Sequence, residues 1–285
     1  MVGCSNPPSI FLSFHSFFML PRGSPMRKYL RIDSYRLMLI GGFTGFLSAL
    51  LGVGGGFILI PLLIVYSGYK MTSVAKVSLL VTFSIAFMGA LTNFILNEFL
   101  IDLDIVAFVI IGALPGSWLG SKLAHSLDHK SLVRLFSILL FFMGVKMLGL
   151  LSLSLPLSVP ASGMSFAILG FFSGMLSGLF GIGGGVILVP SLTIFFGLGI
   201  HAAIATSLAS IIPIVLFSLF FHRKGNWPGS ADLKRIVPAA VLGAATGALV
   251  STNLQPGLLE ALFGVILIVY SGRLFVHAPD EEKTT

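Results

Sequence analysis

Charge is what this chain has least of. Only 9% of its 285 residues are Asp, Glu, Lys or Arg, whereas a soluble domain carries roughly 25%. With 56% hydrophobic residues and a mean hydropathy of +1.03, no soluble fold of this length hides so much apolar surface, and the chain reads as an all-α polytopic membrane protein. Cysteine is nearly missing too. Cys4 stands alone, which excludes an intrachain disulfide framework and a CxxC metal site. No carboxylate sits mid-span: Glu98, Asp102 and Asp104 belong to a loop and Glu260 starts a helix. That absence, with no cysteine or histidine cluster, argues against a metal-ion transporter. HExxH and GxSxG are absent and no His–carboxylate pair falls within one span, which argues against an intramembrane enzyme, and no catalytic residue, metal or cofactor is expected. A GxxxxGK[ST] phosphate loop is lacking as well, so energy would come from an ion gradient or the substrate's own gradient. The net charge of +7 is scattered between apolar runs rather than clustered, so it reports membrane topology and not nucleic-acid binding.

What the chain has is apolar runs. Ten are marked, at 36–53, 56–67, 73–96, 104–124, 131–151, 163–182, 185–198, 202–221, 235–251 and 257–276. Counting crossings places every basic residue but Lys146 of the 17 on one face, and the excess of Lys and Arg marks that face as cytoplasmic, with both termini on it. Residues 1–34 form an N-terminal extension, 35–151 a first membrane repeat, 152–162 a linker, 163–276 a second repeat and 277–285 a cytoplasmic tail. Ile10 to Leu20 is apolar but about half the length that spans a bilayer. Two readings fit it: translation starting at Met26, just before Arg27, Lys28 and Arg31, or a short interfacial helix.

One stretch is written twice. Gly41 to Leu63 (GGFTGFLSALLGVGGGFILIPLL) and Gly170 to Leu192 (GFFSGMLSGLFGIGGGVILVPSL) agree at 14 of 23 positions, at an offset of 129. Each repeat holds five segments, an odd number, so the second half is expected upside down relative to the first, with a substrate site near the midplane where the halves meet. Segments 56–67 and 185–198 are too short to span upright and are read as tilted broken helices or re-entrant hairpins.

Both copies carry three successive glycines at membrane depth, Gly54, Gly55, Gly56 and Gly183, Gly184, Gly185. Each would cost about 1 kcal/mol inside a helix, and irregular backbone at that depth is tolerated only inside protein or beside a watery cavity. The helix resuming at Phe57 or Val186 would present N–H groups and a positive dipole end, which suits an anion. The two triplets are therefore expected to face each other as backbone cradles for a small anion. Close helix packing is the competing account, since Gly41/Gly45, Gly52/Gly56, Gly170/Gly174/Gly178 and Gly181/Gly185 all have GxxxG spacing. The run from Gly52 to Phe57 is no dinucleotide fingerprint, because the third glycine and the strand–helix setting are missing.

The doubled GxxxGxxxxxxGxGGGxxxxPxL pattern resembles the sulfite exporter TauE/SafE family, as does the small-polar patch after each copy, Val77-Ser78-Leu79 and Ala205-Thr206-Ser207-Leu208. The resemblance runs from about Arg36 to Arg273 and implies a transporter of sulfite, organosulfonates or related sulfur-containing anions in the bacterial cytoplasmic membrane. Ser78 and Ser207 occupy the same place in each repeat and, with Thr206, are expected to donate hydrogen bonds to an oxyanion; self-satisfied helical hydroxyls are the alternative. Asn93 and His222 also correspond at the 129 offset. The family commonly has His at the second position, before a short basic-Gly stretch like Arg223-Lys224-Gly225, and such a histidine titrates in the range of a coupling proton; an interfacial ring among lipid headgroups is the alternative. Other readings are a carrier or channel for a different small anion, or a non-transporting membrane partner. The oligomeric state is not legible.

Overall fold

A computed structural model describes residues 34–67, 71–96, 101–123, 129–150, 160–221 and 230–276. Those residues form ten helices: α1 (Ser34–Leu51), α2 (Gly56–Ser67), α3 (Met71–Leu96), α4 (Leu103–Leu123), α5 (His129–Met147), α6 (Gly163–Phe180), α7 (Gly185–Phe196), α8 (Ile200–Phe221), α9 (Ser230–Asn253) and α10 (Pro256–Val276). Each expected segment is a helix, and the described residues contain no strand. Six helices, α3, α4, α6, α8, α9 and α10, are long and apolar enough to cross a membrane. At 12 residues each, α2 and α7 rise only about 18 Å, well short of a bilayer core.

Local sequence explains the ends. Ser162 caps α6 by accepting the Ser165 N–H at 3.3 Å. At the other end Gly181 takes the left-handed conformation (φ 70°) that a side chain resists, and its N–H closes on the Ser177 carbonyl at 2.9 Å. Asp102 caps α4 with its carboxylate, accepting from the N–H groups of Asp104 and Ile105, each at 3.1 Å.

Two helix pairs are pressed together backbone to backbone, and in each the partners come from different halves. A Cβ on Gly45 would overlap the Ala240 carbonyl, and one on Gly243 the carbonyl of Gly42, joining α1 to α9. The same holds for Gly174 on Ala113 and Gly116 on Phe171, joining α6 to α4. The two interfaces correspond residue by residue. Small residues at four-residue spacing let such backbones approach closely, gaining dispersion and Cα–H···O contacts where lipid supplies no hydrophobic drive. Gly41, Gly45, Gly170, Gly174 and Gly178 are thereby accounted for by packing, whereas Gly52 and Gly181 are needed for their left-handed backbone.

Around these zippers, α3 crosses α8 and α5 crosses α10, the second pair touching at Gly144 and Gly264. α3 also packs on α9 as α8 does on α4. The pattern of pairings is thus repeated when the two halves are exchanged. Most of the largest fully buried side chains lie on α2, α3, α7 and α8: Phe57, Leu59, Leu79, Ile85, Leu188, Leu192 and Ile204 are almost wholly enclosed, with Phe263 of α10, Leu140 of α5 and Leu51 of α1 besides.

Candidate functional site

The two helix breaks meet at the centre of this arrangement. The last glycine of each triplet abuts the other break. A Cβ on Gly56 would lie 2.7 Å from both Cα and carbonyl oxygen of Ile182, and one on Gly185 2.6 Å from the Val53 carbonyl. No larger residue fits at either position, so these two glycines are required by packing whatever else they do. Gly184 has its own reason: its backbone is left-handed (φ 78°) and a Cβ there would overlap Ser173 Oγ. Gly55 is different. Its φ is not in that region, and a Cβ would meet only the flexible end of Ile85 at 2.6 Å and the Thr82 side chain beyond.

Ser78 and Ser207, expected to donate to an oxyanion, instead donate to backbone at the breaks, and each crosses to the opposite half. Ser78 Oγ donates to the Gly181 carbonyl at 3.1 Å, and Ser207 Oγ donates to the Gly52 carbonyl at 2.8 Å. All four groups are buried. Each hydroxyl has one proton, and that proton is spent on the carbonyl that ends the preceding helix. Thr206 lies elsewhere: its Oγ1 accepts the Asp102 N–H at 3.4 Å, at the start of α4. Asn93 is buried and returns its Nδ2–H to the Gly89 carbonyl one turn back at 2.9 Å. His222 lies outside the described residues.

The N–H groups of Gly54, Gly55, Gly56 and Phe57 have no acceptor within the described chain, and neither do those of Gly183, Gly184, Gly185 and Val186. All eight residues are buried. Buried backbone donors are almost always paired, so eight unpaired ones at two helix starts amount to a concentrated positive potential, roughly half an elementary charge per helix end.

Two residues that sequence reasoning passed over, Ser173 and Thr82, line this junction. Ser173 Oγ donates to the Gly184 carbonyl at 3.0 Å. Its repeat counterpart Thr44 is buried with no partner for Oγ1; the 129 offset links the two and was the available signal. Thr82, also buried with an unpartnered Oγ1, gave no such signal because its counterpart is Ile211. Lys76, read from sequence as a topology marker, is only 6% exposed. Among the described residues no three His, Cys, Asp or Glu side chains converge. An apolar groove of about 340 Å³ between α5, α6 and α7 is lined by Leu139, Ile168, Phe172, Phe195 and Phe196, with the hydroxyls of Ser165 and Ser191 and no charged side chain. It suits an acyl chain better than an anion.

Comparison with known proteins bears on what such a junction is for. The family described as Sulfite exporter TauE/SafE matches residues 9–147 and 166–285. A probable membrane transporter protein of Xylella fastidiosa (strain Temecula1) is 28% identical over 242 residues, spanning 80% of this chain and 89% of its own. The probable membrane transporter protein YunE of Bacillus subtilis (strain 168) is 25% identical over 272 residues, 84% of this chain and 96% of its own. An archaeal relative, the probable membrane transporter protein MJ0441 of Methanocaldococcus jannaschii, is 25% identical over 160 residues, 55% of this chain and 60% of its own. No solved structure matches the chain.

Proposed function

This chain belongs to the sulfite exporter TauE/SafE family of membrane transporters, and from that membership we propose that it is a secondary transporter, an exporter by family habit, of small sulfur-containing anions such as sulfite or an organosulfonate. The anion is held between Gly54–Gly56 and Gly183–Gly185. One observation carries the reading: both triplets present buried N–H groups without acceptors, at equivalent helix starts of the two halves that touch each other. Neutral donors at helix N-termini bind an anion without a fixed counter-charge, so the anion can leave again.

In this reading Ser78 and Ser207 position the cradles rather than contact the anion: by holding the carbonyls of Gly181 and Gly52 they turn negative ends away from the site. The two halves lie oppositely in a cytoplasmic membrane with both termini inside, and alternating access is a rocking of the packed halves about the junction. The coupling proton, where there is one, rides on His222 or on the substrate, since sulfite titrates near neutrality.

The test uses purified protein in sealed liposomes loaded with sulfite, thiosulfate, sulfate or sulfoacetate, with and without an imposed pH gradient. Selective efflux of one sulfur anion is expected. Flux of none of the four, from correctly folded protein, would overturn the substrate class. For His222→Ala, an unchanged response to the pH gradient would remove the histidine from proton coupling and leave the substrate as carrier.

A further inference from the structure

Hydroxyls in buried helices ordinarily return their proton to a carbonyl three or four residues back. On α3, Ser84 does so to Leu80 at 3.0 Å and Thr92 to Met88 at 2.9 Å; on α8, Ser210 bonds the Thr206 carbonyl at 2.8 Å. Thr44, Ser48, Thr82 and Thr193 break the habit, and among them Thr82 is the one set against the triplets. It is wholly enclosed, and its Oγ1 has no partner. A hydroxyl left unpaired in an apolar interior is a cost to the fold, so its position calls for an acceptor from outside the chain.

That position lies between the two triplets. A Cβ on Gly55 would sit 3.5 Å from Thr82 Oγ1, one on Gly54 3.1 Å from Thr82 Cγ2, and one on Gly183 2.8 Å from the same methyl. Thr82 therefore lies beside both glycine triplets, its hydroxyl nearest Gly55 and its methyl nearest Gly54 and Gly183, one turn beyond the Ser78 that ties α3 to the second break. Its repeat counterpart Ile211 faces the same junction from α8: its Cδ1 would lie 3.1 Å from a Cβ on Gly54 and 2.6 Å from one on Gly185. The equivalence of the halves is thus broken at this layer. One wall carries a hydroxyl; the other is aliphatic and continues into Val215, 3.5 Å from the Gly183 Cβ position.

We propose that Thr82 is the side-chain donor of the anion site, its Oγ1–H bonding an oxygen of the anion whose remaining oxygens meet the triplet N–H groups, while Ile211 forms the apolar wall opposite. The inference rests on the anion reading above and sharpens it. A site with donors on one side and a hydrocarbon surface on the other favours an unsymmetrical oxyanion, with oxygens at one end and a non-polar substituent at the other, over sulfate, whose four oxygens would leave acceptors against Ile211.

The experiment uses full-length protein in liposomes loaded with sulfite, methanesulfonate or sulfate, comparing wild type with Thr82→Val, Thr82→Ser and the double variant Thr82→Val/Ile211→Thr. Valine keeps the shape and removes an unsatisfied hydroxyl, so the ligand-free protein should unfold at the same or a higher temperature. The half-saturating concentration of the transported anion should nonetheless rise about tenfold or more, the worth of a hydrogen bond to a charged group. Serine should stay within about threefold of wild type, and the double variant should recover part of the loss by moving the hydroxyl to the equivalent place in the other half. Wild-type half-saturation in folded Thr82→Val, or failure of that variant to fold, would overturn the role of Thr82 and leave the anion reading standing. Wild type carrying sulfate as well as methanesulfonate would overturn the apolar wall. Wild type carrying none of the three would overturn the anion reading and this inference with it.

Discussion

Each glycine of the triplets is required for a different reason, and substitution should separate those reasons. Gly184→Ala forces a side chain into a left-handed backbone, a penalty of about 1–2 kcal/mol, and onto Ser173 besides. Gly55→Ala asks only that Ile85 Cδ1 move aside. In detergent, Gly184→Ala should therefore unfold at a clearly lower temperature than Gly55→Ala. Equal midpoints would mean that the left-handed turn at Gly184 is not rigid. The serines make a second contrast. Ser78→Ala or Ser207→Ala leaves a buried carbonyl without its donor and should cost about 1–3 kcal/mol of stability; a serine that served only as a substrate contact would change half-saturation with no loss of stability. Much at this scale was legible because the chain states it twice: Ser78 with Ser207, and Gly54–Gly56 with Gly183–Gly185. What the hydroxyls bond was not legible, because each partner lies in the other half, 103 and 155 residues away. Thr82 escaped notice for the opposite reason, having an isoleucine for its counterpart.

Among the elements, all ten hydrophobic runs became helices, and the boundaries moved where side-chain chemistry outweighs hydropathy. The first run was expected to reach residue 53 but stops at Leu51, because Gly52 turns left-handed (φ 69°). α9 begins at Ser230, ahead of the expected 235, since Asp232 and Lys234 bounded the apolar run without ending the helix. The zippers give the prediction that belongs here. Leucine at Gly45 or Gly116 would push apart backbones already in contact, and the folded protein should be lost from size-exclusion chromatography. Gly272→Ala, with nothing within 4 Å of its Cβ position, should leave the same profile unchanged and gain up to about 1 kcal/mol of helix propensity. A well-behaved Gly116→Leu would show that α4 and α6 are not in tight contact.

For the molecule as a whole, the repeat announced two equivalent halves, and each helix pairing of one half has its equivalent when the halves are exchanged. Sequence periodicity did not say that the halves are interleaved, with the first helix of each buried against the fourth of the other. That pairing depends on which glycine faces which, a property of three-dimensional register that no run of apolar letters encodes. The orientation of the halves is open to direct measurement. A reporter fused after Ser158 should be found outside and one after Lys130 inside; the reverse pattern would overturn the cytoplasmic placement of the termini, and both reporters on one side would remove the opposed arrangement of the halves. Likewise, residues 35–151 and 163–276 made separately should each be degraded, and should persist when made together.

The same interleaving sets a schedule for biogenesis. α1 leaves the ribosome long before its partner: about 180 residues separate Leu51 from Ser230, which at roughly 5–20 residues per second is about ten to forty seconds. Through that interval Gly41 and Gly45 of α1 lack their α9 partner, and α4 waits in the same way, more briefly, for α6. The insertion machinery or a lipid must hold these grooved faces until their partners arrive. A synonymous change that slows translation between α8 and α9 would lengthen the wait and lower the yield of intact transporter without altering a single residue of it.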